Sequence, residues 1–228
     1  MPSRLWVATL ALAGLAFVVL LAIGVTSGVT DAADRIVAEA IRDDSLADLL
    51  APLRVVTELG STAAVTIVAG LTFLTGVLIG PWLHGAAGAA LIGVASLGVE
   101  AMKSAVARER PDVLDPLVVE RGFSYPSGHS TLSMVAYGIL AILITRSRLP
   151  YGVRAAAVIV LALVVLAVGV SRPWLGVHYP TDVLAGWITG AVIVLLYASL
   201  TRGVSREPAA AAVDADPATP RSDRPASG

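Results

Sequence analysis

The sequence predicts an all-α polytopic membrane helical bundle, with six transmembrane helices and an interfacial amphipathic segment between the first and second. Two observations carry this prediction. The 228 residues are 56% hydrophobic and only 14% charged, with a mean hydropathy of +0.81, whereas soluble domains carry about 25% charged residues. The apolar residues also gather into six runs, each near the ~20 residues that cross a bilayer as a helix.

Leu5 to Val25 follows Arg4 and exceeds the ~7–15-residue apolar stretch of a signal peptide, so it reads as a retained first helix. From Asp31 to Gly60 acids are frequent, yet Ile36, Ala40 and Ile41, then Leu46, Leu49, Leu50 and Leu53, fall at helical spacing. One or two amphipathic helices in the interface fit that pattern, with Ser45 and Asp48 resembling a capping box. The second span is Ser61 to Ile79, closed by Gly80-Pro81. Trp82 and His84 follow at headgroup level, and His84 is assigned no chemistry. The third span, Ala86 to Val106, is dense in Gly and Ala, which predicts a helix inside the bundle. The fourth starts abruptly at Pro126 and runs to Ile144, and the fifth covers Ala155 to Val170. The sixth, Asp182 to Leu200, follows Pro180, a residue suited to a first helical turn. Residues 1–202 thus form one membrane domain. The tail 203–228, rich in Ala, Pro, Asp, Arg and Ser, is expected to be disordered.

An even number of spans puts both termini on one side. Arg4, the basic 146–154 loop, Arg202 and Arg206 mark that side as cytoplasmic. The 31–60 segment, the 103–126 loop and the stretch from Ser171 to Asp182 then share the outer face. A net charge of −1 argues against a nucleic-acid partner. The absence of cysteine excludes disulfides, thiolate metal sites and cysteine nucleophiles. His84, His129 and His178 are too scattered to suggest a zinc site.

Three clusters converge on the outer face. Lys103 and Arg110 close the third span, Ser127-Gly128-His129 opens the fourth, and Ser171-Arg172 with His178 and Asp182 precedes the sixth. Arginine forks and a lysine neutralise phosphate oxygens. A helix start made accessible by Gly128 adds backbone N–H donors. One histidine can attack phosphorus while a second supplies the proton for the leaving oxygen. His178 and Asp182 lie four apart on one helical face, so a carboxylate can hold one imidazole nitrogen and aim the other outward. Arg108, Glu109 and Arg121 read as solvated loop charges, and Glu100 as a partner for Lys103 one turn on.

The spacing Lys103-x6-Arg110-Pro111, then Pro126-Ser127-Gly128-His129, then Ser171-Arg172-x5-His178-x3-Asp182 resembles the three-part signature of the PAP2 superfamily, the type 2 phosphatidic acid phosphatases. Every signature position matches. The resemblance implies that His178 is the nucleophile, forming a phosphohistidine, with Asp182 orienting it. It implies that His129 protonates the leaving oxygen and then activates water. Lys103, Arg110 and Arg172 would grip the phosphate, with Ser127, Gly128 and Ser171 as further donors and no metal or other cofactor. The expected substrate is a lipid phosphomonoester or pyrophosphate: polyprenyl pyrophosphate, phosphatidic acid or phosphatidylglycerophosphate. A lipid phosphotransferase would use the same residues. A non-catalytic transporter of phosphate-bearing lipids would need the cations but not two histidines with a carboxylate behind one.

Overall fold

The computed structural model describes residues 4–41, 50–79, 82–111 and 120–203. Within them the chain is helical: α1 Arg4–Thr26, α2 Asp31–Ile41, α3 Leu50–Glu58, α4 Thr62–Ile79, α5 Trp82–Val106, α6 Gly128–Thr145, α7 Tyr151–Trp174 and α8 Pro180–Leu200, ending in a 3-10 turn at Thr201–Gly203. No strand occurs among the described residues. Five helices (α1, α5, α6, α7 and α8) are long and apolar enough to cross a bilayer, and the number rises to six when α3 and α4, bent by 44°, count as one span.

The innermost helix is α6, which contacts α4, α5, α7 and α8. Half of its apolar window is buried, against 28% for α5. The expectation that the Gly/Ala-rich third span lies inside is therefore corrected. Only the start of α5 is crowded: a Cβ on Gly85 would come within 2.8 Å of Gly76 Cα on α4, whereas Gly93 and Gly98 face open space. The most extensive seam runs between α6 and α8. A side chain on Gly186 would meet the Ser127 carbonyl at 2.8 Å, and one on Gly190 would meet Met134 Cβ at 2.6 Å. Small residues at that spacing let two backbones approach, which fixes α8 against the N-terminal turn of α6.

His84, in the first turn of α5, is buried, and its carbonyl accepts from the Tyr197 hydroxyl at 2.9 Å. The described parts of the segment after α1 form two short helices, α2 and α3. On α2 the apolar Ile36 and Val37 are exposed, while Asp34 is buried. The Ser45–Asp48 capping box and the tail from residue 204 onward lie outside the described residues.

Candidate active site

The predicted site residues gather at one end of the bundle, where α5 and α7 finish and α6 and α8 begin. In the α7–α8 turn, Gly176 adopts φ +71°, a left-handed conformation that costs glycine little. The chain then returns as α8 with Pro180 in its first turn. Asp182, third in that helix, accepts the Tyr179 backbone N–H at 2.9 Å through Oδ2. The same Oδ2 lies 3.4 Å from His178 Nδ1. Both residues are almost wholly buried, so the contact fixes the ring with its proton on Nδ1 and its Nε2 lone pair facing the site. Burial pushes the His178 imidazole below its ordinary range, with the Asp182 bond opposing that shift only in part.

Arg110 is held in place before any substrate arrives. Its guanidinium donates to the carbonyls of Gly122 at 3.0 Å, Val177 at 2.8 Å and Arg121 at 3.3 Å. Nη1 also lies 3.3 Å from His178 Nε2. Arg172, fully buried at the end of α7, donates to the Thr57 hydroxyl on α3 at 2.7 Å, and its Nε has no partner among the described residues. An unpaired N–H on a buried cation is costly, and a ligand oxygen would satisfy it. Lys103 pairs with Glu100 at 3.7 Å, as its spacing predicts. It borders Gly128, where an added Cβ would lie 3.8 Å from Nζ.

Ser127 caps α6. Its hydroxyl oxygen accepts from Ser130 N–H at 3.4 Å and from the Ser130 hydroxyl at 3.0 Å, which leaves its own proton to give. Ser171 is placed differently: it is buried, and its hydroxyl donates to the Val168 carbonyl of its own helix at 2.7 Å. His129, in the first turn of α6, rests against the α3–α4 bend. A Cβ on Gly60 would fall 3.0 Å from its ring and 2.5 Å from Val168, so glycine at that bend leaves the imidazole its room.

Four further residues line the site, and no feature of the sequence singles them out. Glu120 stands at the convergence point. Its carboxylate pairs with Arg172, lies 3.2 Å from Arg110 Nη1, and sits 3.9 Å from both His129 Nδ1 and His178 Nε2. Burial would raise the Glu120 carboxyl, but Arg172 and then the two histidines draw it down to about 2. Thr57 anchors Arg172. Arg108, expected as a solvated charge, is largely buried and bridges Asp182 Oδ1 at 2.7 Å and Asp34 Oδ2 at 2.7 Å. Asp34 arrives from α2, and only its place near a helix start distinguishes it in the sequence from the other acids of that segment. Glu109 and Arg121 are exposed, as read from the sequence.

Fold and site together define an integral membrane protein with a buried, cation-lined anion seat flanked by two histidines. Residues 82–205 match the model of the PAP2 superfamily, and the chain belongs to that superfamily. It is similar to phosphatidylglycerophosphatase B of Bacillus subtilis, 35% identical over 46% of this chain and 52% of the relative. It also resembles an undecaprenyl-diphosphatase of Sulfolobus acidocaldarius, 35% identical over 32% of each chain. A lipid A 1-phosphatase of Rhizobium johnstonii is 35% identical over 42% of this chain and 39% of its own. The matches thus span about half or less of the length of these curated relatives. Among solved structures, the crystal structure of a transmembrane PAP2 type phosphatidylglycerolphosphate phosphatase from Bacillus subtilis superposes with a TM-score of 0.73 at 26% identity, over 87% of this chain and 98% of that one.

Proposed function

We propose that this chain is a lipid-phosphate phosphatase that hydrolyses a phosphomonoester or pyrophosphate whose tail stays in the bilayer. One observation carries the reading: Arg110, Arg172, His129 and His178 all face a single carboxylate, that of Glu120. A tetrahedral phosphate offers the same cations more oxygens and more charge. It would displace Glu120 and accept the Arg172 Nε–H, which has no partner among the described residues. The three relatives are named for three different lipid phosphates, in keeping with a site whose charged groups address phosphate rather than tail.

In the proposed cycle, Nε2 of His178 attacks phosphorus and the bond to the leaving oxygen breaks. His129 gives that oxygen its proton, and the lipid product departs. Water then attacks the phosphohistidine, losing a proton to His129. The P–N bond breaks, His178 regains its lone pair and inorganic phosphate leaves. Asp182 stabilises the positive charge on the ring during attack. Lys103, Arg110 and Arg172 neutralise the phosphoryl oxygens, with Ser127 and the N–H groups at Gly128 as further donors. These cations do the work a metal does elsewhere, so no metal cofactor enters the cycle. With α3 and α4 as one bent span, the chain crosses six times. Both termini then face the cytoplasm and the site faces outward. The short helix α2 lies beside the site through Asp34, and α3, the site-side end of the bent span, borders it through Thr57.

Phosphate release from detergent micelles containing phosphatidylglycerophosphate, phosphatidic acid or undecaprenyl diphosphate tests the reading. Turnover of at least one of them, unaffected by EDTA and inhibited by vanadate, is the expected result. No release from any lipid phosphate would refute catalysis, and full loss in EDTA would refute the metal-free cycle.

The lowered basicity of His178 gives a pH prediction. A depressed imidazole stays neutral until the pH falls below its ordinary midpoint of 6.5. In ¹⁵N-histidine spectra of the micellar protein, His178 should therefore remain the neutral Nδ1–H tautomer at pH 6.5. A ring already half-protonated there would mean that burial does not hold it in the nucleophilic form.

A further inference from the structure

We propose that Asp34 is a positioning residue for this reaction: acting through Arg108, it fixes the carboxylate of Asp182 and preserves the negative field behind His178. The inference rests on the phosphatase reading above.

Asp34 is out of character with its helix. On α2 the apolar Ile36 and Val37 are exposed, yet Asp34 is only 1% exposed. Burying a carboxylate is expensive unless its oxygens are satisfied, and here they are satisfied entirely by the catalytic end of the bundle. Oδ1 accepts the Thr181 backbone N–H at 3.1 Å. Oδ2 accepts the Thr181 hydroxyl at 2.6 Å and Arg108 Nη2 at 2.7 Å. Thr181 lies in the first turn of α8, immediately before Asp182, so Asp34 also satisfies an N–H at the start of the helix that carries the dyad.

Arg108 conveys the effect. Its other arm, Nη1, donates to Asp182 Oδ1 at 2.7 Å and to the Thr181 hydroxyl at 2.8 Å, and the guanidinium lies 4.0 Å from the centre of the Tyr179 ring. A planar fork can hold two carboxylates at once, which an ammonium cannot do with the same geometry. With Oδ1 of Asp182 held by Arg108, Oδ2 is left for His178 Nδ1 and the Tyr179 N–H. Charge counting gives the same answer. Arg108 facing Asp182 alone would form a neutral pair with little to offer an imidazolium. With Asp34 included, the buried trio of Asp182, Arg108 and Asp34 keeps one net negative charge behind the ring that becomes cationic on attack, whereas Asp31 faces Arg108 from a half-exposed position where water screens it.

The test is Asp34→Asn, which keeps shape and an acceptor for Thr181 while removing the charge. Its expected signature is a kcat about 10–100-fold lower, the scale of partners one step removed from a reacting group. KM should stay within about twofold, because the phosphate clamps are untouched. In ¹⁵N-histidine-labelled protein, the His178 Nδ1 proton should move upfield as its bond to Asp182 weakens. Arg108→Lys should reproduce this signature and serves if Asp34→Asn does not fold. Asp31→Asn, at a half-exposed residue 3.7 Å from Arg108, should change kcat less than about twofold. Two results would overturn the proposal: a rise in KM with kcat intact, or a lower melting temperature with kcat and the imidazole signal unchanged. If the wild-type protein releases no phosphate, the phosphatase reading fails, and the imidazole signal still decides whether Asp34 acts on His178.

Discussion

His178→Ala lowers phosphate release by about 10⁴-fold or more, the scale on which nucleophile and base deletions act in hydrolytic triads. The geometry explains why nothing nearby replaces it. Within the described residues, His178 Nε2 is the nitrogen aimed at the Glu120 seat with its proton held on the far side by Asp182. The defect should lie in kcat and leave binding intact, because Arg110 is fixed by the carbonyls of Gly122, Val177 and Arg121 independently of the ring. Acid-quenching the wild-type protein during turnover of ³²P-labelled substrate should trap an acid-labile label that His178→Ala lacks. A variant that releases phosphate at the wild-type rate, or still takes up the label, would refute the nucleophile assignment. A lipid-phosphate transporter predicts a different pattern: transport surviving this substitution, and no covalent label in either protein.

The sequence disclosed spans and chemistry to different depths, for physical reasons. The spans were legible because lipid demands long unbroken apolar runs, and the observed helices follow those runs closely. The placement of α5 was misread because glycine content reports permission for close approach, not its use. Gly85 uses it; Gly93 and Gly98 do not. Lys103, Arg110, Arg172, His129, His178 and Asp182 were legible because cations and histidines at helix ends within an apolar chain are costly and need a reason. Glu120, Arg108 and Asp34 were not, because each lies in a polar segment where a charge costs nothing on paper. Their burial comes from partners distant in the chain: Arg108 is held between Asp34 and Asp182, Glu120 between Arg172 and Arg110, and Ser124 N–H donates to the Arg108 carbonyl at 2.9 Å. No local pattern encodes these pairings.

His129→Ala separates two classes of substrate. The imidazole is assigned the proton that the leaving oxygen needs, and leaving oxygens differ in that need. An alcohol departing from a phosphomonoester leaves as a strong base, so losing the general acid should cost about 10²–10⁴-fold. A lipid phosphate departing from a diphosphate is a weak base and leaves with little help. The first half of the diphosphate reaction should therefore survive the substitution, while hydrolysis of the phosphohistidine, which needs a base for water, should not. The expected trace is a burst: one equivalent of lipid monophosphate per protein, then slow steady release of phosphate. The position of His129 supports this division. Its ring stands across the Glu120 carboxylate from His178, each 3.9 Å from one oxygen. A phosphoryl group seated there would have the attacking nitrogen on one side and the proton donor on the other. Equal losses on both substrates without a burst would show that His129 binds phosphate rather than moving protons.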